Sequence, residues 1–348
     1  MRVQFDVTHP AHVHLFKNAI RTLAADGHSV AVAAREKEVT TALLEAYGID
    51  HTVLSSKGRS IAALVAEWSL RELRTISYTR AFDPDVIVSR ALPSAVHAAA
   101  LTGASSVVCT DTEYARGIAT LIGPFVDYWW TPAWFTGDYG DRQRVHEGVD
   151  ELAYLHPDRF SPDPDRLREY DIDPAERYFV LRFVSMGAHH DRSRAGFSPA
   201  GKRRLAEALS AHGTVYISAE GSLPDGIAGE PVPVEPADIH HLLAFADLLV
   251  GDSETMATEA ALLGTPTIRA NSHATDEALG VFVRLDDYGL VDSISDETTA
   301  HERAIELATD PAAGDRWDQR RAALLESTPD VTGHLLGVIE EAADGGGR

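Results

Sequence analysis

The sequence predicts an α/β protein built from two doubly wound, Rossmann-like domains. Three observations predict it. Short apolar runs of strand length alternate with helical stretches, the pattern of a parallel sheet covered by helices. The alternation runs twice, with a break rich in Pro and Asp over 156–175. At 348 residues and 44% hydrophobic content, the chain suffices for two cores of ordinary size.

In the first half, residues 1–8 read as a strand and 9–14 as a loop leading into a helix over 15–25, which Gly27 ends. A strand over 28–34, a helix over 37–47 stopped by Gly48 and a strand over 50–54 follow. Residues 60–80 place apolar side chains at helical spacing until Asp83-Pro84 breaks the pattern. Strands over 86–89 and 106–110 flank a helix at 94–102. Residues 126–135 hold three of the five tryptophans. They read as the last strand of this half, with the aromatics either packed inside or forming an apolar surface for an acceptor or lipid.

The second half repeats the scheme. Strands are expected over 178–184, 215–219, 248–250 and 266–270, and helices over 199–211, 238–245, 316–325 and 332–343. The stretch from Leu248 to Pro266 organises it. A buried strand runs into Gly251-Asp252-Ser253, and an Ala/Leu-rich helix follows until Gly264. Asp252 or Ser253 can cap that helix. Its first turn, from Asp252 through Ser253, Glu254, Thr255 and Met256, offers N–H groups and a positive dipole end to a phosphate. Glu259, about two turns in, is placed to accept from two ribose hydroxyls. The alternative is a plain strand–loop–helix unit with a solvated Glu259.

Composition narrows the function. The net charge is −22, with four lysines against 27 arginines, so a salt-adapted acidic surface is expected. A basic stripe for nucleic acid is absent from the sequence. The single cysteine, Cys109, excludes a disulfide framework or a Cys-based metal site. No apolar run approaches membrane-spanning length, and a basic-then-apolar leader is missing, which reads as a cytoplasmic protein. Neither Gly-x-Gly-x-x-Gly nor Gly-x-x-x-x-Gly-Lys-Ser/Thr occurs, which disfavours a dinucleotide oxidoreductase and a P-loop NTPase.

Gly251-Asp252-Ser253 followed by Glu259-Ala260-Ala261-Leu262-Leu263-Gly264-Thr265-Pro266 resembles the donor-site motif of two-domain GT-B proteins. These include the non-hydrolysing UDP-GlcNAc 2-epimerases and the lipid-linked-muropeptide GlcNAc transferase. With His9-Pro10-Ala11-His12-Val13-His14-Leu15-Phe16-Lys17, the chain is similar over nearly its whole length to a GT-B-like family of unknown function, frequent in archaea. The resemblance implies two domains facing a central cleft, at 1–160 and 177–330, joined by a linker at 161–176. Residues 331–348 would hold a last helix able to cross back to the first domain, and a disordered tail from Gly345. It also implies a nucleotide-sugar donor, UDP-linked by preference, and a sugar, lipid-linked or peptide-linked acceptor, with no cofactor and no metal. A homodimer is left open. The departures are the missing Arg-Arg-Glu-Asn run of the epimerases and the missing Gly-Gly-Ser loop of the transferase.

Ligands of open parallel sheets bind at the carboxyl ends of the strands, so polar residues of those loops are the candidates. His9 or His12 would contact a phosphate or act as general base; a metal is disfavoured because no carboxylate or Cys completes the set. Arg90 would hold a carboxylate or phosphate bidentately. Asp111 or Glu113 is an acid/base candidate, and the resemblance places an essential acid of the epimerases after this strand. Arg182, in an apolar strand, needs a partner or a ligand. Ser185 and His189 would line a pocket floor, and Glu220 would reach the base or ribose. The expected function is glycosyl transfer from a nucleotide sugar. The alternatives are 2-epimerisation, with Asp111, Glu113 and His189 sharing the proton steps, and nucleotide-sugar binding without catalysis.

Overall fold

The structure, a computed structural model, describes residues 1–56, 58, 61–111, 116–184, 196–271 and 280–345. The chain divides into two compact units. Unit 1 comprises Met1–Arg159 and Thr328–Arg348, and unit 2 comprises Phe160–Ser327.

Unit 1 runs β1 (Arg2–Val7), α1 (Pro10–Ala25), β2 (Ser29–Glu36), α2 (Thr40–Ala46), β3 (Thr52–Ser56), α3 (Ile61–Phe82), β4 (Val86–Arg90), α4 (Pro93–Thr102), β5 (Ser105–Cys109), α5 (Arg116–Ile122), β6 (Tyr128–Pro132), β7 (Gln143–His146) and α6 (Leu152–Leu155). Its strands form one parallel sheet in the order β3-β2-β1-β4-β5-β6-β7. Val3, Phe5, Val7, Val86, Val88, Val107 and Val108 are fully buried, as expected where helices cover both faces. Trp129 and Trp130 lie in this core at 0% exposure. The aromatic run is therefore packed inside, and the lipid-facing alternative is not what the structure shows for these two rings.

Unit 2 runs α7 (Pro164–Arg168), β8 (Tyr178–Phe183), α8 (Pro199–Ser210), β9 (Thr214–Ala219), β10 (Glu230–Pro231), α9 (Ile239–Ala244), β11 (Leu248–Gly251), α10 (Glu254–Leu263), β12 (Thr267–Ala270), α11 (Gly280–Asp287), β13 (Asp292–Ile294), α12 (Glu297–Thr309) and α13 (Ala313–Glu326). Its parallel sheet has the order β10-β9-β8-β11-β12-β13. A final helix, α14 (Val331–Gly345), belongs to unit 1, where it packs on α1, α6 and β5. In both sheets the strand order reverses beside the first strand of the series, between β1 and β4 and between β8 and β11. Such a switch point is where ligands settle in open α/β sheets.

Several expectations are corrected. His9–His14 is not a loop: α1 begins at Pro10, whose fixed φ suits a first helical position, and His9 caps it by accepting from the Ala11 N–H at 3.2 Å. Residues 161–176 do not form a free linker. They fold within unit 2, with α7 capped by Asp163 and with Leu167 and Ile172 buried. Strands β7, β10 and β13 and helices α5, α6, α11 and α12 were not expected. Gly345 ends α14, and the rest of the tail, 346–348, lies outside the described residues.

Candidate functional site

In unit 2, β11 ends on Gly251 because the chain passes too close to β8 for a side chain. A Cβ there would stand 2.5 Å from the Arg182 carbonyl oxygen. The turn that follows starts α10. Ser253 caps it, its Oγ accepting from the Met256 N–H at 3.4 Å, and Gly264 ends it in the left-handed region at φ +90°. One N–H of the first turn is thus already taken by the chain, while Glu254 and Thr255 face solvent and Met256 is half-buried.

Asp252 does not cap α10. It is 4% exposed, and its Oδ1 accepts from the Val184 N–H at 2.7 Å, which ties the end of β8 to β11. Burial pushes its carboxyl up, against the pull of that N–H and of Lys202. Gly196 packs against the same carboxylate so closely that a Cβ would meet Oδ2 at 2.2 Å. Beside this turn lies a cavity of about 640 Å³, lined in part by Val184, Ser198, Lys202, Ser222, Asp252 and Glu297. Lys202 brings a positive charge into it, with Nζ 4.7 Å from the Phe183 ring centre. Glu297 seats on the start of α8, accepting from the Ser198 N–H at 2.6 Å and from Arg204 at 3.0 Å.

Glu259 is not displayed to a ligand as the sequence suggested. It is 5% exposed, and its Oε1 stands 3.0 Å from Nε2 of the buried His240 on α9. Arg182 finds partners inside the unit: Ser218 Oγ at 2.9 Å and Glu220 Oε1 at 2.5 Å, so Glu220 is engaged as well. Ser185 and His189 lie outside the described residues.

In unit 1, the carboxyl ends of β1, β4, β5 and β7 carry the polar groups. His12 sits in the first turns of α1 with Nδ1 3.4 Å from the Thr8 N–H. Burial, then the positive charges of Arg90, His9, Lys37 and Arg71, hold it well below the ordinary histidine value, so its ring is neutral at pH 7. His9 is more exposed, its Nε2 3.8 Å from Glu38. Arg90 is not open for an anionic ligand. One end of its guanidinium holds Asp111, and the other donates to Asp150 Oδ2 at 2.7 Å. Asp150 and His146, gathered around Arg90 and Trp130, were missed from the sequence because β7 was missed, and His334, on the expected last helix, because its partner Trp130 is more than 200 residues away along the chain. A residue just past an unrecognised strand is not read as a strand-end residue. Glu113 lies outside the described residues.

Residues 1–154 match the family model described as "Protein of unknown function (DUF354)". No curated protein matches the chain. Among solved structures, a putative UDP-N-acetylglucosamine 2-epimerase from Listeria monocytogenes is similar at 12% identity and TM-score 0.66, over 98% of this chain and 95% of that one. The UDP-GlcNAc 2-epimerase from Neisseria meningitidis, bound to UDP-GlcNAc, is similar at 14% and 0.63, over 98% and 99%. The glycosyltransferase VinC, in complex with DTDP, is similar at 14% and 0.63, over 99% and 100%. The family model covers the part of the chain that carries His9–Lys17, and the solved structures show the fold, which is α/β of the GT-B type. Among the described residues, no helix is long and apolar enough to cross a membrane.

Proposed function

We propose that the protein is a glycosyltransferase that uses a nucleotide-diphosphate sugar, UDP-linked by preference, as donor. The observation that carries this is the Gly251-Asp252-Ser253 turn. It lies at the switch point of the unit 2 sheet, opens α10 toward solvent, and adjoins a cavity large enough for a nucleotide. The solved structures of the same fold include a glycosyltransferase with DTDP and an epimerase with UDP-GlcNAc, which supports the same class of ligand. In this reading, N–H groups at the start of α10 and the Lys202 ammonium receive the diphosphate as charge builds on the leaving group. Asp252 shapes the turn rather than touching the donor. The candidate groups for proton transfer lie in unit 1. His12, neutral at pH 7, takes the proton of an acceptor hydroxyl, with His9 close by at 5.9 Å between ring centres.

A second reading, 2-epimerisation of the nucleotide sugar, is favoured by one observation: Asp111, just past the end of β5, is a partly exposed carboxyl beside Arg90, and burial pushes it up. The test is incubation of the protein with UDP-GlcNAc, followed by NMR and mass spectrometry. Transfer that needs an added acceptor supports the transferase, and a 2-epimer formed without acceptor replaces it. Binding of UDP without turnover of either kind leaves a binding protein, and absence of UDP binding removes the donor assignment.

A further inference from the structure

An inner strand of a sheet covered on both faces is ordinarily apolar on both, but β1 is not. Successive residues of a strand alternate between faces. Phe5 packs against Phe16 of α1, with ring centres 5.5 Å apart, so Gln4 and Asp6 turn to the other side, which α3 covers. Two contacts fix how α3 lies there. Midway along it, Arg71 donates from Nη2 to Asp6 Oδ1. At its far end, the carbonyls of Phe82 and Asp83 each accept from Arg2 Nε at 2.9 Å. Helix and strand therefore run antiparallel. Four helix residues advance about 6 Å and two strand residues about 6.6 Å, so Thr75 comes level with Gln4, and Thr79 lies one turn further toward Arg2.

Gln4, Thr75 and Thr79 are all 0% exposed. Neither end of the Gln4 amide, nor either threonine hydroxyl, has a hydrogen-bond partner among the described residues. The same holds for Asp6 Oδ2 and Arg71 Nε at the other end of this seam. The rest of the Arg71 guanidinium is engaged, its Nη1 donating to Ser55 Oγ at 3.1 Å and to the Ala34 carbonyl at 3.3 Å. A helical threonine can satisfy itself by donating to the carbonyl four residues back, as Thr102 and Thr309 do at 2.8 Å each. Thr75 and Thr79 do not, so their hydroxyls are left for another partner. A buried polar group without one is costly, and here several stand along a single seam.

We propose that unit 1 holds ordered water between β1 and α3, bound by Gln4, Thr75 and Thr79 and reaching Asp6 Oδ2 and Arg71 Nε. Water fits this set of groups and a cation does not. Gln4 Nε2 and Arg71 Nε can only donate, so each needs an acceptor, whereas Gln4 Oε1 needs a donor. Water supplies both, and the two hydroxyls turn to either role. A sodium or potassium ion would serve the oxygens, leave both N–H groups unbonded, and stand beside the Arg71 guanidinium. The water seats α3 on the strand that leads into Thr8, whose N–H faces the His12 ring. All five residues of the seam belong to unit 1, so the water is held whatever unit 2 binds.

The experiment is water-selective NMR on the full chain, isotope-labelled, with the Gln4 side-chain amide assigned through bonds from its own Cα. Cross-relaxation from water to the two Gln4 Nε2 protons is expected, with the sign of a water that tumbles with the protein. Its absence overturns the proposal, because a dry seam or one holding an ion gives none. A second measurement reads the same water through stability. Thr75→Val keeps the shape of the side chain and removes the hydroxyl. A dry seam gains by losing an unbonded polar group, whereas a hydrated one loses a bond to its water. The urea-unfolding midpoint of Thr75→Val is therefore expected to fall below that of wild type, with weaker cross-relaxation to Gln4. An unchanged or raised midpoint overturns the proposal. If Thr75→Val does not fold, the cross-relaxation in the wild type decides by itself.

Discussion

Replacing Glu259 separates a ligand-reading carboxylate from a bracing one. In the structure its Oε1 lies 3.0 Å from His240 Nε2, and the two side chains are 7% and 1% exposed. Glu259→Ala leaves that ring nitrogen buried without its carboxylate, and a buried polar group deprived of its partner costs roughly 1–3 kcal/mol. For a unit of this size, 2 kcal/mol lowers Tm by roughly 4–8 °C. Glu259→Gln keeps an oxygen on His240 and should lose less than half as much. The assay pairs thermal or urea unfolding with calorimetric titration of UDP, at a temperature where each variant is folded. The expected result is a destabilised Glu259→Ala protein whose UDP affinity stays within about twofold of wild type, because the carboxylate braces α9 against α10. The refuting result is the reverse: an unchanged unfolding midpoint with UDP affinity down tenfold or more. That would mean the carboxylate turns outward to the ribose in solution.

Three further outcomes are expected. Lys202→Met keeps the stem over Phe183 but removes the charge, so calorimetry should show UDP bound roughly fivefold more weakly, with a smaller loss for UMP; equal affinities would take Lys202 out of the site. His12 is held neutral in the folded chain but takes a proton near pH 6.5 when unfolded, so its contribution is full above that pH and is lost as the pH falls. Wild type should therefore lose about 1.4 kcal/mol more stability per pH unit below 6.5 than His12→Gln, and parallel urea-unfolding profiles for the two would contradict this. The net charge of −22 makes the surface repel itself, so raising KCl from 0.1 M to 2 M should raise the unfolding temperature; a flat or falling curve would show that buried ion pairs such as Asp6–Arg71 set the salt response instead.

The fold was legible because a parallel sheet covered on both faces needs unbroken apolar runs, and those are local. Leu248–Val250 and Tyr178–Phe183 stand out for that reason, whereas Gln143–His146 and Asp292–Ile294, short and polar on the sheet margins, do not. The start of α10 was legible for a similar reason: a Ser253 cap acts on an N–H three residues away. The fate of the charged residues at strand ends was not local. A strand-end Arg or Glu meets either a ligand or the end of a neighbouring strand, and the neighbour is set by sheet order, not by sequence distance. Arg90 is satisfied by Asp111 and Asp150, Arg182 by Glu220, and Glu259 by His240. In each case the chain itself supplies the partner that the sequence reading had sought in a ligand. Where ligand chemistry is to be sought, the groups to follow are the backbone N–H groups at the start of α10, Lys202 in its cavity, and the neutral ring of His12.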